Sequence, residues 1–177
     1  MKKFITLLVL ITMSAAVFAQ SAQLADFSEI AQVQSSGDVV LDAFSVPING
    51  QNTYFLCVGT LGIGDDVVQV MFDPVYKLFI PLGTTLAEAM DTLEQMKDMY
   101  QEPEGTRFEM TGCFAPIIPD DTRETVTITK RKNLLTNILE FALEREGYTR
   151  ATYVYRSHFA SIVSSVKFYK KLHPGEQ

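Results

Sequence analysis

Val67–Tyr100, VVQVMFDPVYKLFIPLGTTLAEAMDTLEQMKDMY, decides how the rest of the chain must fold. Val67–Phe72 and Val75–Leu82 are short apolar runs separated by Asp73-Pro74. Proline there removes a donor and presets a turn, so two strands or one kinked strand are expected. Pro81 and Gly83 stop the second run. Thr85-Leu86-Ala87-Glu88 has the form of a capping box, in which the hydroxyl bonds an orphan amide of the first turn and the carboxylate reaches back. Leu86, Ala89, Met90, Leu93, Met96, Lys97 and Tyr100 follow at near-helical spacing, a mostly apolar side, while Glu88, Asp91, Glu94, Asp98 and Glu102 cover much of the remainder. An amphipathic helix of this kind needs a sheet to bury its apolar side, and the strands before it are the nearest ones.

The flanking sequence supplies more strands. Val39–Val46 and Thr53–Thr60 are β-branched and aromatic runs around Pro47-Ile48-Asn49-Gly50, and Asn-Gly predicts a hairpin because both residues tolerate positive φ. Gly62-Ile63-Gly64-Asp65-Asp66 reads as a second turn, and Gln101–Gly105 as a loop leading to a strand over Thr106–Ala115. Pro116 and Pro119 bracket Ile117-Ile118, and Asp120-Asp121 opens a turn before Glu124–Lys132, a strand with one face toward the core. Leu134–Glu146 fits helical and alternating spacing alike. Its Gly147 turn into the threonine- and tyrosine-rich Tyr148–Arg156 favours a strand and a second hairpin. Ser157 is positioned to cap a last helix with Phe159, Ile162, Val163, Val166 and Tyr169 on one face and Lys170 and Lys171 in its final turn. Gln20–Gly37 is polar, with Leu24, Phe27 and Ile30 spaced for a short helix or a loose arm. The expected class is α+β, a largely antiparallel sheet with one central amphipathic helix and a C-terminal helix packed on it.

Met1–Ala19 combines Lys2 and Lys3, an apolar run from Phe4 to Met13 and the small-residue ending Val17-Phe18-Ala19, and it resembles a bacterial secretory signal peptide. Cleavage before Gln20 would leave 158 residues, organised as an N-terminal arm over 20–37 and a single α+β domain over 38–177. No other stretch is long enough to span a bilayer, so no transmembrane segment is expected in the mature chain, which would be periplasmic or extracellular.

Charge is unevenly placed. Residues 20–121 hold 3 basic and 16 acidic side chains, net −13, whereas 122–177 hold 10 basic and 5 acidic, net +5. Either the two parts fold against each other and neutralise, or the basic part offers a face to a protein or an anionic envelope component. Nucleic acid is an unsuitable partner for an exported acidic chain.

Chemistry-bearing patterns are sparse. Gly59, Gly62 and Gly64 lack the Lys-Ser/Thr of a phosphate loop and are followed by Asp65-Asp66, which would repel phosphate, so a turn accounts for them better. Asp65, Asp66, Asp73, Glu109, Asp120 and Asp121 have no EF-hand spacing and read as solvated turn acids. Of the two histidines, His158 adjoins Ser157, which is not the relation a catalytic triad uses, and His173 sits beside the lysines of a helix end. Cys57 and Cys113 lie in strand-like segments, where an exported location permits a disulfide and two buried thiols are the other outcome. With the two histidines they match zinc in ligand number but lack its paired short spacing. Met90, Met96 and Met99 suit core filling ahead of an adaptable partner groove. Tyr148, Arg150, Tyr153, Tyr155, Arg156, Lys167 and Tyr169 interleave rings with cations, as a binding surface for a protein or an anionic glycan would. These patterns point to a non-enzymatic binding or assembly module with no metal or cofactor. A small secreted hydrolase using loop carboxylates or a Cys/His pair is the alternative.

Overall fold

Asn49 and Gly50 take φ of 52° and 80°. Two consecutive positive φ values make the tight turn whose twist matches that of paired strands, and Asp38–Ile48 (β2) and Gln51–Val58 (β3) flank it in register from Ile48↔Gln51 to Leu41↔Val58. The computed structural model describes residues 27–36, 38–59, 77–115, 122, 124–133, 135–145 and 148–176. Ser28–Ser35 (β1) precedes this hairpin; Lys77–Gly83 (β4), Arg107–Ala115 (β5), Glu124–Asn133 (β6), Thr136–Arg145 (β7) and Tyr148–Tyr155 (β8) follow it. All eight form one antiparallel sheet in chain order. Leu86–Asp98 (α1) joins β4 to β5, and Arg156–Leu172 (α2) follows β8. The protein is thus α+β and mostly sheet, four strands and a helix followed by four strands and a helix.

Two expectations change. Residues 28–35, read as a helix or loose arm, form a strand paired with β2 from Ser28↔Ser45 to Ser35↔Asp38. Their polar residues Gln32 and Gln34 fall on the face opposite Ala31 and Val33, and a register shift at Ile30 hides the alternation. Ser157 does not cap α2. The strand runs straight into the helix through extended Tyr155, which makes no side-chain cap, and Ser157 lies inside the first turn. Val67–Phe72, the turn at 62–66 and residues 116–121 lie outside the described residues.

The capping box at α1 is complete. Thr85 Oγ1 accepts the Glu88 amide at 3.1 Å, and Glu88 Oε2 accepts the amides of Thr84 and Thr85 at 2.7 and 3.2 Å. These bonds hold the Glu88 carboxyl below its ordinary range. The turn depends on Gly83, at φ 143°, where a Cβ would stand 2.5 Å from that of Glu88.

Both helices bury their apolar stripes in one core. Leu86, Leu93 and Met96 of α1 and Phe159, Ile162 and Val166 of α2 meet Leu56, Ile80, Ile128 and Phe141 of the sheet. Tyr100, just past α1, is buried against Phe159 with ring centroids 5.8 Å apart, and its hydroxyl donates to the Val154 carbonyl of β8 at 2.9 Å. Met90, Met96 and Met99 are all buried, so they fill the core. The sheet curls far enough for Thr152 Oγ1 of β8 to donate to the carbonyl of Gly59, just past β3, at 2.6 Å. On the opposite face of the first four strands Phe44, Val46, Phe55, Cys57 and Phe79 form a second buried apolar cluster. One joint is short: β4 and β5 share three register pairs, Lys77↔Ala115 to Phe79↔Cys113, against seven between β6 and β7.

Candidate functional site

Helix α2 begins at the end of β8 and crosses to the other edge of the sheet, where it lies against β1 and β2. Its spacing dictates two faces. Phe159, Ile162, Val163 and Val166 point into the core, while Ser161, Ser164, Ser165 and Phe168 are exposed. Between this outer side and β1 runs a groove of about 500 Å³, lined by Ile30, Ala31 and Gln32 on the strand and by Ser164, Phe168 and Leu172 on the helix. Phe168 and Leu172 are 63% and 60% exposed, in contrast to the buried apolar side of the same helix. Two large side chains left open on adjoining turns cost the fold apolar burial of about 25 cal/mol per Å² that it could have gained by placing them inward.

The polar surroundings are basic on the helix. Between its ends α2 carries Arg156, Lys167, Lys170 and Lys171 and no aspartate or glutamate. Lys167 bonds Glu94 of α1, joining the basic and acidic parts of the chain. That contact and the neighbouring Lys97 hold the Glu94 carboxyl below its ordinary range. Tyr169 also lines the groove; its ring stacks on His173 at 4.0 Å, and its hydroxyl donates to the Glu176 carboxylate at 3.2 Å. Burial and then Glu176 raise the phenol above its usual range.

The seven basic and aromatic residues singled out in the sequence do not share one surface. Alternation along β8 puts Arg150 on the side of Thr152 and Val154, and Tyr153 and Tyr155 on the other. Tyr148 pairs with Arg145 at the start of the strand, and Arg156 is exposed at the start of α2. Lys167 is engaged with Glu94, and Tyr169 alone of the seven lines the groove. Phe168, Leu172 and Ile30 carried a signal that the spacing could have exposed: Phe168 and Leu172 are large apolar residues off the α2 stripe.

Cys57 and Cys113 are both buried and unbridged. Each occupies the same row of the sheet, but Phe79 of β4 pairs with both, so a whole strand intervenes. Two strand spacings amount to roughly 10 Å, beyond the reach of a disulfide. The bridge that export would permit is therefore not formed. Burial pushes the Cys57 thiol up to about 12, Lys77 only partly opposing it, and it stays protonated at neutral pH. The rings of His158 and Tyr155 are nearly perpendicular with centroids 5.7 Å apart, and His173 Nδ1 lies 3.0 Å from the Tyr169 carbonyl. Glu109 is exposed on β5; Asp65, Asp66, Asp73, Asp120 and Asp121 lie outside the described residues. Among the described residues no three His, Cys, Asp or Glu side chains gather as metal ligands, and no helix is long and apolar enough to cross a membrane.

Comparison with protein-family models, with curated proteins and with solved structures found no match. The fold defines the class: an α+β protein with an eight-stranded antiparallel meander and two helices, the second of which lines an open depression beside the first strand.

Proposed function

We propose that the protein is an exported binding or assembly module that works through the surface formed by β1 and α2 and carries out no catalysis of its own. Export rests on the charged, apolar and small-residue sequence of Met1–Ala19. In this reading α1 is the central helix, because Tyr100 just past its end ties the core to β8 while the helix itself lies against β4. The observation that carries the reading is the exposure of Phe168 and Leu172 beside an open depression lined by β1 and α2. Lys170 and Lys171, next to Phe168 and Leu172 in the helix, favour a partner that is acidic beside an apolar contact. The basic, tyrosine-rich segment thus contributes through its helical end, with Tyr169 at the groove wall.

The test compares the chain with a Phe168→Ser, Leu172→Ser double variant as immobilised bait for an envelope extract. The reading expects a component held by the first and released by the second, both melting at the same temperature. Equal retention by the two would overturn it.

A further inference from the structure

The groove has a direction that bears on what fills it. Ala31 and Gln32 follow the bulge at Ile30 and send their side chains to opposite faces of β1. A depression touching both therefore reaches the rim of the strand, where backbone amides and carbonyls emerge. Among the described residues β1 has a strand neighbour, β2, on one side only. The opposite wall is suited to a backbone as well: Ser164 and Ser165 are small and exposed, so a chain can approach the helix there, while Phe168 and Leu172 offer apolar contact farther along.

We infer that the groove takes an extended peptide that pairs with β1 as a ninth strand, apolar in the middle and acidic at its ends. The inference rests on the docking face proposed above and adds the chemistry of its occupant. Strand addition satisfies the rim of β1 with main-chain hydrogen bonds and leaves recognition to alternate side chains, one set of which faces Phe168 and Leu172. Charge complementarity specifies the ends. Lys170 and Lys171 lie in the last turn of α2 beside Phe168 and Leu172, Lys167 being engaged by Glu94 and Arg156 lying at the far end; the acids on this side are Glu29 on β1, the half-buried Asp42 on β2 and Glu176. A membrane surface fits less well, since lipid needs a convex apolar face and here the apolar pair stands beside a channel shared with polar Gln32.

The test uses the full chain and fluorescent peptides of alternating valine and threonine. One peptide ends in glutamates, one in lysines, and one ends in glutamates but is N-methylated on alternate amides so that one edge cannot pair. Sedimentation with phosphatidylglycerol vesicles runs alongside. The inference expects saturable binding of the first peptide and at least tenfold weaker binding of the other two. It also expects at least tenfold loss for Phe168→Ser, Leu172→Ser and for Lys170→Glu, Lys171→Glu variants with unchanged melting temperatures. Equal binding of the N-methylated peptide, or of the lysine-ended peptide, would overturn strand addition or the charge rule respectively. Vesicle binding that needs Phe168 and Leu172, with no peptide binding, would overturn the inference and leave the docking face standing. Failure of both probes together with equal bait retention in the extract experiment would remove the docking face too.

Discussion

Asp42 is a carboxylate whose surroundings oppose its charge. It sits on β2 between Gln32 of β1 and Cys57 of β3, and its Oδ1 is buried with no hydrogen-bond partner. Burial first, and Glu29 second, push its carboxyl up to about 6, with Lys77 and a hydrogen bond from Gln32 opposing them. Because the folded value lies above the unfolded one, the folded chain holds the extra proton between the two. Stability from this group is complete below about pH 4 and is lost as pH rises through about 6. In a closed interior such a shift would be worth about 3 kcal/mol; solvent reaches this half-buried carboxylate, so about 1 kcal/mol is the better figure. Asp42→Asn should therefore raise stability at pH 7 by about 1 kcal/mol and flatten the profile between pH 4 and 6. Urea midpoints across that range measure it, and an unchanged slope would rule out Asp42 as its source. Tyr100 makes the opposite case, a buried polar group fully used. Tyr100→Phe leaves the packing and removes the donor to Val154, for a loss of about 1 kcal/mol by chemical denaturation.

The start of α1 shows how a local motif and a backbone requirement interlock. Thr85→Ala removes one half of the box and should cost about 1 kcal/mol. Gly83→Ala should cost more, about 2–3 kcal/mol, since the added carbon collides with Glu88 and the backbone stands at φ 143°. Equal thermal shifts for the two variants would mean that the turn relaxes around the new methyl. Strand β8 teaches a different point. Its threonines and tyrosines were legible as strand formers, and so was the hairpin that joins it to β7. That Arg150 and Tyr153 then face opposite ways follows from alternation alone, which a one-dimensional grouping of rings and cations ignores. β1 was missed for the converse reason: the shift at Ile30 breaks its period, and only pairing with β2 makes these residues a strand.

Helix α2 ties the two groups of four strands together across the short β4–β5 joint, since it leaves β8 and lands on β1 and β2. Phe159 is at the crossing, buried against Tyr100. Phe159→Ala should cost about 3–5 kcal/mol and speed amide exchange in β1 as well as in β8. Faster exchange confined to β8 would show that the helix does not couple the two edges. The acidic and basic parts of the chain meet at Glu94 and Lys167, which supports partial neutralisation across the fold. A Lys167→Glu variant should lose about 0.5 kcal/mol, and a Glu94→Lys, Lys167→Glu exchange should recover only part of the loss of Glu94→Lys alone, because Glu94 also bonds Lys97.

Local chemistry was enough to locate β2, β3 and their Asn49-Gly50 turn, the capped start of α1 and the apolar stripe of α2, because each depends on residues within a few positions of one another. The groove does not. Ile30 and Phe168 are separated by most of the chain, and they become neighbours only because the sheet curls and α2 crosses to its far edge. Strand order and register likewise set Cys57 and Cys113 in one row with Phe79 between them. Hydrogen bonds and spacing act over a turn or a strand, whereas the choice of which edge remains open is made by long-range packing of the core.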